Sequence, residues 1–142
     1  MNIAQLNDIS IHYKVYGQNN DKTIILISGF SSDHKVWSLA IQVLAQKYKV
    51  VVFDNRGVGL TRDNEIPFDI EIMADDVYNL LSFLAVKNAH IIGHSMGGLI
   101  AQKFAIKYQQ IIDKLVVINS SSYAYKTLEY VLSNQNKLWN KG

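Results

Sequence analysis

The chain has 142 residues, 14 Lys and Arg against 12 Asp and Glu for a formal net charge of +2, and 49% hydrophobic and 18% charged residues. That is the size of one domain with room for a core, and the balance of a globular protein rather than a disordered one. It has no cysteine, which excludes a disulfide framework, a thiolate zinc site and a cysteine nucleophile.

The charges are interspersed, and no basic block marks a nucleic acid or a membrane as partner. The first eight residues show no basic start followed by an apolar stretch, so no signal peptide is expected. Apolar runs reach about five residues, far short of the roughly 20 that span a bilayer. The location expected from these signs is cytoplasmic. No metal and no cofactor is expected.

In chain order, residues 3–6 and Ser10–Tyr16 read as two opening strands. In the second, Ile11, Tyr13 and Val15 alternate with His12, Lys14 and Tyr16, the period of a half-exposed strand near a sheet edge. Residues 17–21, Gly-Gln-Asn-Asn-Asp, are turn chemistry. Thr23–Ile27 and residues 50–53, 89–92 and 115–118 are nearly all apolar, as strands of a parallel sheet covered on both faces are. Between them, Trp37, Ala40, Ile41, Leu44 and Tyr48 share one helical face. Met73, Val77, Leu80, Leu81 and Leu84 share another, and Ala101, Phe104, Ala105 and Tyr108 a third. The alternation predicts an α/β fold with a mostly parallel sheet flanked by helices. In residues 123–139, Leu128, Val131, Leu132 and Leu138 fall on one further helical face.

Residues 89–98, Ala-His-Ile-Ile-Gly-His-Ser-Met-Gly-Gly, place Gly-x-Ser-x-Gly between an apolar strand and an amphipathic helix. The bare pattern is weak, since average composition gives it by chance in roughly 5% of chains this long. Its setting makes it informative. A serine nucleophile must stand proud of the sheet on a turn too tight for neighbouring side chains, and Gly93 and Gly97 remove them. The helix that begins near Gly97 directs its N-terminal N–H groups at the site, which favours developing negative charge. The N–H of Met96 is placed to donate to an oxyanion. The plainer alternative is a glycine-rich turn with an ordinary surface serine.

Three motifs together resemble α/β-hydrolases of the enol-lactonase and carboxylesterase type. Residues 93–102, Gly-His-Ser-Met-Gly-Gly-Leu-Ile-Ala-Gln, look like that family's elbow and following helix. Residues 54–61, Asp-Asn-Arg-Gly-Val-Gly-Leu-Thr, resemble its loop after the fourth strand. Residues 28–32, Ser-Gly-Phe-Ser-Ser, followed by Trp37, resemble its oxyanion loop. The likeness runs from about Ile9 to Asn119.

It implies Ser95 as nucleophile, Met96 and Phe30 as backbone donors of the oxyanion hole, and Gly29 and His94 beside the bound substrate. It implies loop-shaping roles for Asp54, Arg56, Gly57 and Gly59 rather than chemistry. The chain departs from the family with Ser28 where His is usual, Thr61 where Ser is usual, and Gln109 where Pro often follows the helix. The first change is expected to be tolerated, because the hole uses backbone donors.

In this fold the triad runs Ser, then acid, then His along the chain. After Ser95 there is no histidine, and the only acids are Asp113 and Glu129. Asp113 precedes its strand, at the end of the sheet away from the elbow. His34 lies in the oxyanion loop on the correct side and reads as an exposed loop residue. His12 and His90 read as strand-edge residues.

The domain reading is therefore the N-terminal part of a hydrolase core over residues 1–122 and the start of a lid helix, cut short, over residues 123–142. The expected function is a serine hydrolase of esterase or lactonase type, in truncated or split form and weakly active or inactive alone. Its partners would be a small-molecule ester or lactone and, where the gene is split, a separate chain carrying the C-terminal half. A non-catalytic binding module that keeps the pocket is the alternative, and a short enzyme that uses His34 or a partner chain's residues as its base is a third reading. If the sheet ends at residues 115–118, that run becomes an apolar edge open to pairing.

Overall fold

A computed structural model of the chain describes residues 1–62 and 66–122. Residues 123–139, expected to be helical, and Glu129 lie outside the described residues. Among the described residues, six strands form one sheet: β1 (Asn2–Gln5), β2 (Ser10–Tyr16), β3 (Thr23–Ile27), β4 (Lys49–Phe53), β5 (Ala89–His94) and β6 (Ile112–Ile118). Their order across the sheet is β1-β2-β4-β3-β5-β6. The pairs β1/β2 and β2/β4 are antiparallel, and β4/β3, β3/β5 and β5/β6 are parallel. The expected α/β architecture, a mostly parallel sheet with flanking helices, is therefore present.

Among the described residues, three helices pack on it: α1 (Ser38–Leu44), α2 (Ile70–Phe83) and α3 (Met96–Lys107). Asp69 caps α2 by accepting from the Ile72 N–H at 2.9 Å. Helix α1 is shorter than its apolar spacing predicts. Trp37 belongs to a 3-10 turn, His34–Trp37, which Asp33 opens by accepting from the Lys35 N–H. At the other end the Asn20 side-chain amide donates to the carbonyls of Ala45 and Tyr48, which fixes that stretch as a turn.

Strand alternation builds two cores. Ile24, Leu26, Val50 and Val52 face α1 and pack with Ile41. Ile25, Ile27, Val51, Phe53 and Ile91 face the other way, onto Met73, Val77, Leu80, Ile100 and Phe104 of α2 and α3. Each buried Val, Leu, Ile or Phe contributes about 1.5–3 kcal/mol of transfer free energy. This is why both faces of β3 and β4 are apolar.

Two sequence readings need correction here. His12 and His90 are not at a sheet edge: β2 lies between β1 and β4, and β5 between β3 and β6. The His90 ring instead packs edge-on against Tyr48. Second, the apolar run in β6 is not covered on both sides among the described residues. Leu115, Val116, Val117 and Ile118 are 37–43% exposed, and β5 is the one strand neighbour of β6. Among the described residues, no helix is long and apolar enough to cross a membrane.

The chain leaves β3 through α1 to reach β4, then crosses back through α2 to β5 on the other flank of β3. The loops after β3 and β5 thus part in opposite directions at the carboxyl ends of two neighbouring strands. Open α/β sheets bind ligands in the crevice at such a switch point.

Candidate active site

Ser95 stands at that switch point, between the end of β5 and the first residue of α3. Its backbone adopts φ 56°, ψ −122°, a left-sided conformation that is uncommon for a residue with a side chain. A strained backbone of this kind costs on the order of 1–3 kcal/mol and persists only where its surroundings enforce it.

The surroundings are visible. The Ser95 N–H donates to the Ile118 carbonyl at 3.0 Å, and the Gly98 N–H donates to the Ser95 carbonyl at 2.9 Å. Any side chain at Gly93 would overlap the Gly97 carbonyl, and any at Gly97 would overlap the Ile27 and Ser28 carbonyls. The two glycines of the motif are required by close backbone approach, as their spacing predicts.

The loop after β3 lies against this elbow. A methyl carbon at Gly29 would sit 3.1 Å from Ser95 Cβ, so Gly29 holds the loop backbone directly beside the serine. Phe30 follows, half-buried against the core. Among the described residues, neither the Phe30 N–H nor the Met96 N–H donates a hydrogen bond. The His94 ring lies edge-on to Trp37, 6.4 Å between centroids. His94 therefore forms part of the wall beneath the loop.

Where the resembling family usually has His, Ser28 is fully buried and makes its own network. Its hydroxyl accepts from Trp37 Nε1–H at 3.1 Å, its carbonyl accepts from the Asn55 amide at 2.9 Å, and its Oγ lies 3.4 Å from the Asp33 carbonyl. The serine hydroxyl ties the loop to the 3-10 turn at Trp37, and the Ser28 backbone carbonyl ties it to the loop after β4.

The loop after β4 is held by buried polar groups, as expected for a shaping element. Asp54 accepts from the Leu60 N–H at 3.0 Å, and Gly59, at φ 58°, packs against its carboxylate. Gly57 has φ 73°. Thr61 replaces the usual Ser without loss, since its hydroxyl accepts from the His12 N–H at 2.9 Å. Arg56 forms a two-pronged pair with Asp76, at 2.9 and 2.8 Å, and reaches Asp8 at 3.0 Å. Burial pulls the Arg56 guanidinium down, but the hydrogen bonds to Asp76 and Asp8 outweigh it and leave it above the usual arginine range. Burial pushes the Asp76 carboxyl up, and the hydrogen bonds from Arg56 pull it only part of the way back.

His34 is the main surprise. It is not an exposed loop residue but 5% exposed, with Nδ1 2.7 Å from Asp54 Oδ1. Its backbone N–H donates to the same oxygen at 3.0 Å. Nothing in the local sequence signals this, because the partners are 20 positions apart. All four histidines are among the described residues, and the Ser95 hydroxyl is hydrogen-bonded to none of them. Asp113 falls near the start of β6, at the end of the sheet away from Ser95.

Comparison with known proteins fits this architecture. The profile of the alpha/beta hydrolase fold matches residues 22–141. The chain is 36% identical over 118 residues to the protein named Putative carbamate hydrolase RutD of Agrobacterium fabrum, covering 80% of this chain and 45% of that one. Among solved structures, the enol-lactonase of Burkholderia xenovorans superposes with a TM-score of 0.81 at 27% identity, over 84% of this chain and 47% of that one. Est816, described as an N-acyl homoserine lactone degrading enzyme, superposes with a TM-score of 0.79 at 28% identity, over 84% and 45%. The chain spans about half the length of the curated relatives it matches. Sheet order, strained elbow and matched profile agree: the chain belongs to the alpha/beta hydrolase fold family.

Proposed function

We propose that these 142 residues carry the nucleophile half of a serine hydrolase that transfers the acyl group of a small ester, lactone or carbamate to water. The observation that supports this most is the backbone of Ser95, at φ 56° between two glycines that admit no side chain. Strain of that size at a helix N-terminus and a sheet switch point has a function in view.

In this reading Ser95 Oγ attacks the carbonyl carbon and passes its proton to a base. The carbonyl oxygen becomes an oxyanion held by the N–H groups of Met96 and Phe30, at the positive end of α3. The tetrahedral adduct expels the alcohol or enol, and water then releases the acid. Gly29 leaves room above Ser95 for the acyl group, and His94 with Trp37 backs the wall. The acid and the base come from outside these 142 residues, in a continuation of the chain or a separate C-terminal half. The relatives, about twice as long, have room for both. Without a base the serine hydroxyl is a weak nucleophile, and loss of a triad member costs several orders of magnitude in rate.

The test is hydrolysis of a short-chain p-nitrophenyl ester by the chain and by Ser95→Ala, with and without added imidazole as a substitute base. Turnover that depends on Ser95 only when imidazole is present is the expected result. Clear Ser95-dependent turnover in plain buffer overturns the assignment of the base to residues elsewhere. Identical rates in the two proteins under both conditions overturn Ser95 as nucleophile. They would favour a second reading, a non-catalytic module that binds a partner, for which the exposed apolar residues of β6 speak.

A further inference from the structure

The loop over residues 29–34 carries both the backbone beside Ser95 and the Phe30 amide assigned to the oxyanion hole. Its own bonds are weak. Ser32 N–H reaches the Gly29 carbonyl at 3.3 Å, and Ser32 Oγ reaches the Phe30 carbonyl at 3.3 Å. Ser31 sits at φ 56°, which is unfavourable for a residue with a side chain. A loop built this way relaxes unless something outside it holds it.

Ser28 anchors the start of the loop, and its hydroxyl reaches the Asp33 carbonyl only at 3.4 Å. The shortest hold at the far end is one carboxylate. Asp54 Oδ1 accepts from both the backbone N–H and the Nδ1 of His34, and Oδ2 accepts from the Leu60 N–H. Hydrogen bonds to an ionised acceptor are about twice as strong as neutral ones. The pair is buried, with His34 5% and Asp54 1% exposed, so solvent does not weaken it. Gly59 leaves the space that the carboxylate occupies, since a side chain there would overlap Oδ2. The Asp54 backbone is itself tied to β2, its N–H donating to the His12 carbonyl at 3.0 Å.

We infer that His34 is a positioning residue: through Asp54 it clamps the oxyanion loop to the β4 framework and keeps the Phe30 N–H aimed at the Ser95 site. It touches no reacting atom. Its effect on rate rests on the function proposed above, while its effect on the loop does not. An oxyanion donor that drifts loses its catalytic value, because transition-state stabilisation depends on fixed geometry. His34→Ala removes the side-chain clamp. His34→Asn retains it, because the asparagine amide nitrogen takes the place of Nδ1.

The test measures backbone order parameters by NMR for wild type, His34→Ala and His34→Asn, together with kcat and KM for imidazole-supported ester hydrolysis. In His34→Ala, order parameters over residues 30–33 are expected to fall from about 0.85 to below about 0.6, while residues 96–104 stay rigid. The same variant should lose about tenfold or more in kcat with KM nearly unchanged, the pattern of a lost transition-state interaction. His34→Asn should restore both. An unchanged loop in His34→Ala, loosening spread equally over β5 and α3, or failure of His34→Asn to restore order overturns the proposal. Loop loosening as expected, with no Ser95-dependent turnover in any protein, upholds the clamp and overturns the hydrolase reading instead.

Discussion

The hydroxyl of Ser120 donates a 2.7 Å hydrogen bond to the carbonyl oxygen of Ser95. The same elbow is gripped from the other side, where the Ser95 N–H donates to Ile118. The turn that bears the candidate nucleophile is thus held by the end of β6 as much as by its own strand and helix. Gln102 adds a third tie, its side-chain amide donating to the Gly98 carbonyl at 3.0 Å and to the Ser121 carbonyl at 2.7 Å. The strain at Ser95 is balanced by bonds to a segment some 25 residues further along the chain.

Ser120→Ala should therefore cost about 1 kcal/mol of stability, the usual net value of one partly buried hydrogen bond. Urea denaturation monitored by tryptophan fluorescence measures it. A midpoint equal to that of wild type would mean that the Ser120 hydroxyl does not help to hold the elbow.

The two glycines after Met96 should respond differently to alanine. A side chain at Gly97 meets the Ile27 carbonyl, at the end of β3, and the Ser28 carbonyl, which the Asn55 amide holds in place. A side chain at Gly98 meets the Ser120 side chain, 2.5 Å from its Cβ. Gly97→Ala is expected to destabilise by about 3 kcal/mol or more, at the upper end of overpacking costs. Gly98→Ala should cost less in a Ser120→Gly background than alone, because the two sites share one contact. Additive costs across that double-mutant cycle would remove Ser120 as the obstacle.

The strands, the helices and the elbow were legible because each leaves a local trace. Apolar runs mark β3, β4 and β5, a repeat of three and four marks α2, and Gly93 and Gly97 bracket Ser95 at fixed spacing. The ends of α1 were not legible, since they depend on Asp33 at one side and on the distant Asn20 side chain at the other. The His34–Asp54 pair was not legible either. Both residues lie in polar loops, where a histidine reads as exposed until the chain folds one loop under the other. The run over residues 115–118 is legible as a strand from its apolar character, but its exposure is not, because exposure depends on which elements pack against it.

Arg56 offers a pH-dependent test. Its side chain and that of Asp76 are 2% and 6% exposed, so removing the guanidinium strands a carboxylate in the interior. Arg56→Met should cost about 3–5 kcal/mol at neutral pH, the range for breaking a buried pair. The Asp76 carboxyl is already above its usual value of 3.8 because burial raises it, and Arg56 supplies the influences that lower it. A carboxyl raised on folding favours the folded state below its unfolded value, and that advantage disappears as pH rises through the folded value. Without Arg56 the folded value moves further up. Thermal melts of Arg56→Met should therefore recover more stability than wild type as pH falls from 7 toward the unfolded carboxyl value of 3.8. Equal pH dependence in the two proteins would show that Asp76 does not depend on Arg56 for its charge.

The exposed face of β6 leads to a prediction about association. An edge strand presents unpaired N–H and C=O groups, and a flat apolar one is a template for another strand. Among the described residues, Leu115, Val116, Val117 and Ile118 are each more than a third exposed on such a strand. Folded proteins blunt an edge like this with a charge, lysine above all. The chain does carry Asp113 and Lys114 at the start of β6, but the four residues that follow have no charge. Self-association driven by β6 should thus increase with protein concentration and diminish in Val116→Lys, where a charged head beside the strand opposes close pairing. Static light scattering over a concentration series distinguishes the cases. If Val116→Lys associates as strongly as wild type, pairing through β6 is not what brings the chains together, and the contact must be sought on another surface, such as exposed Leu39 and Val43 of α1.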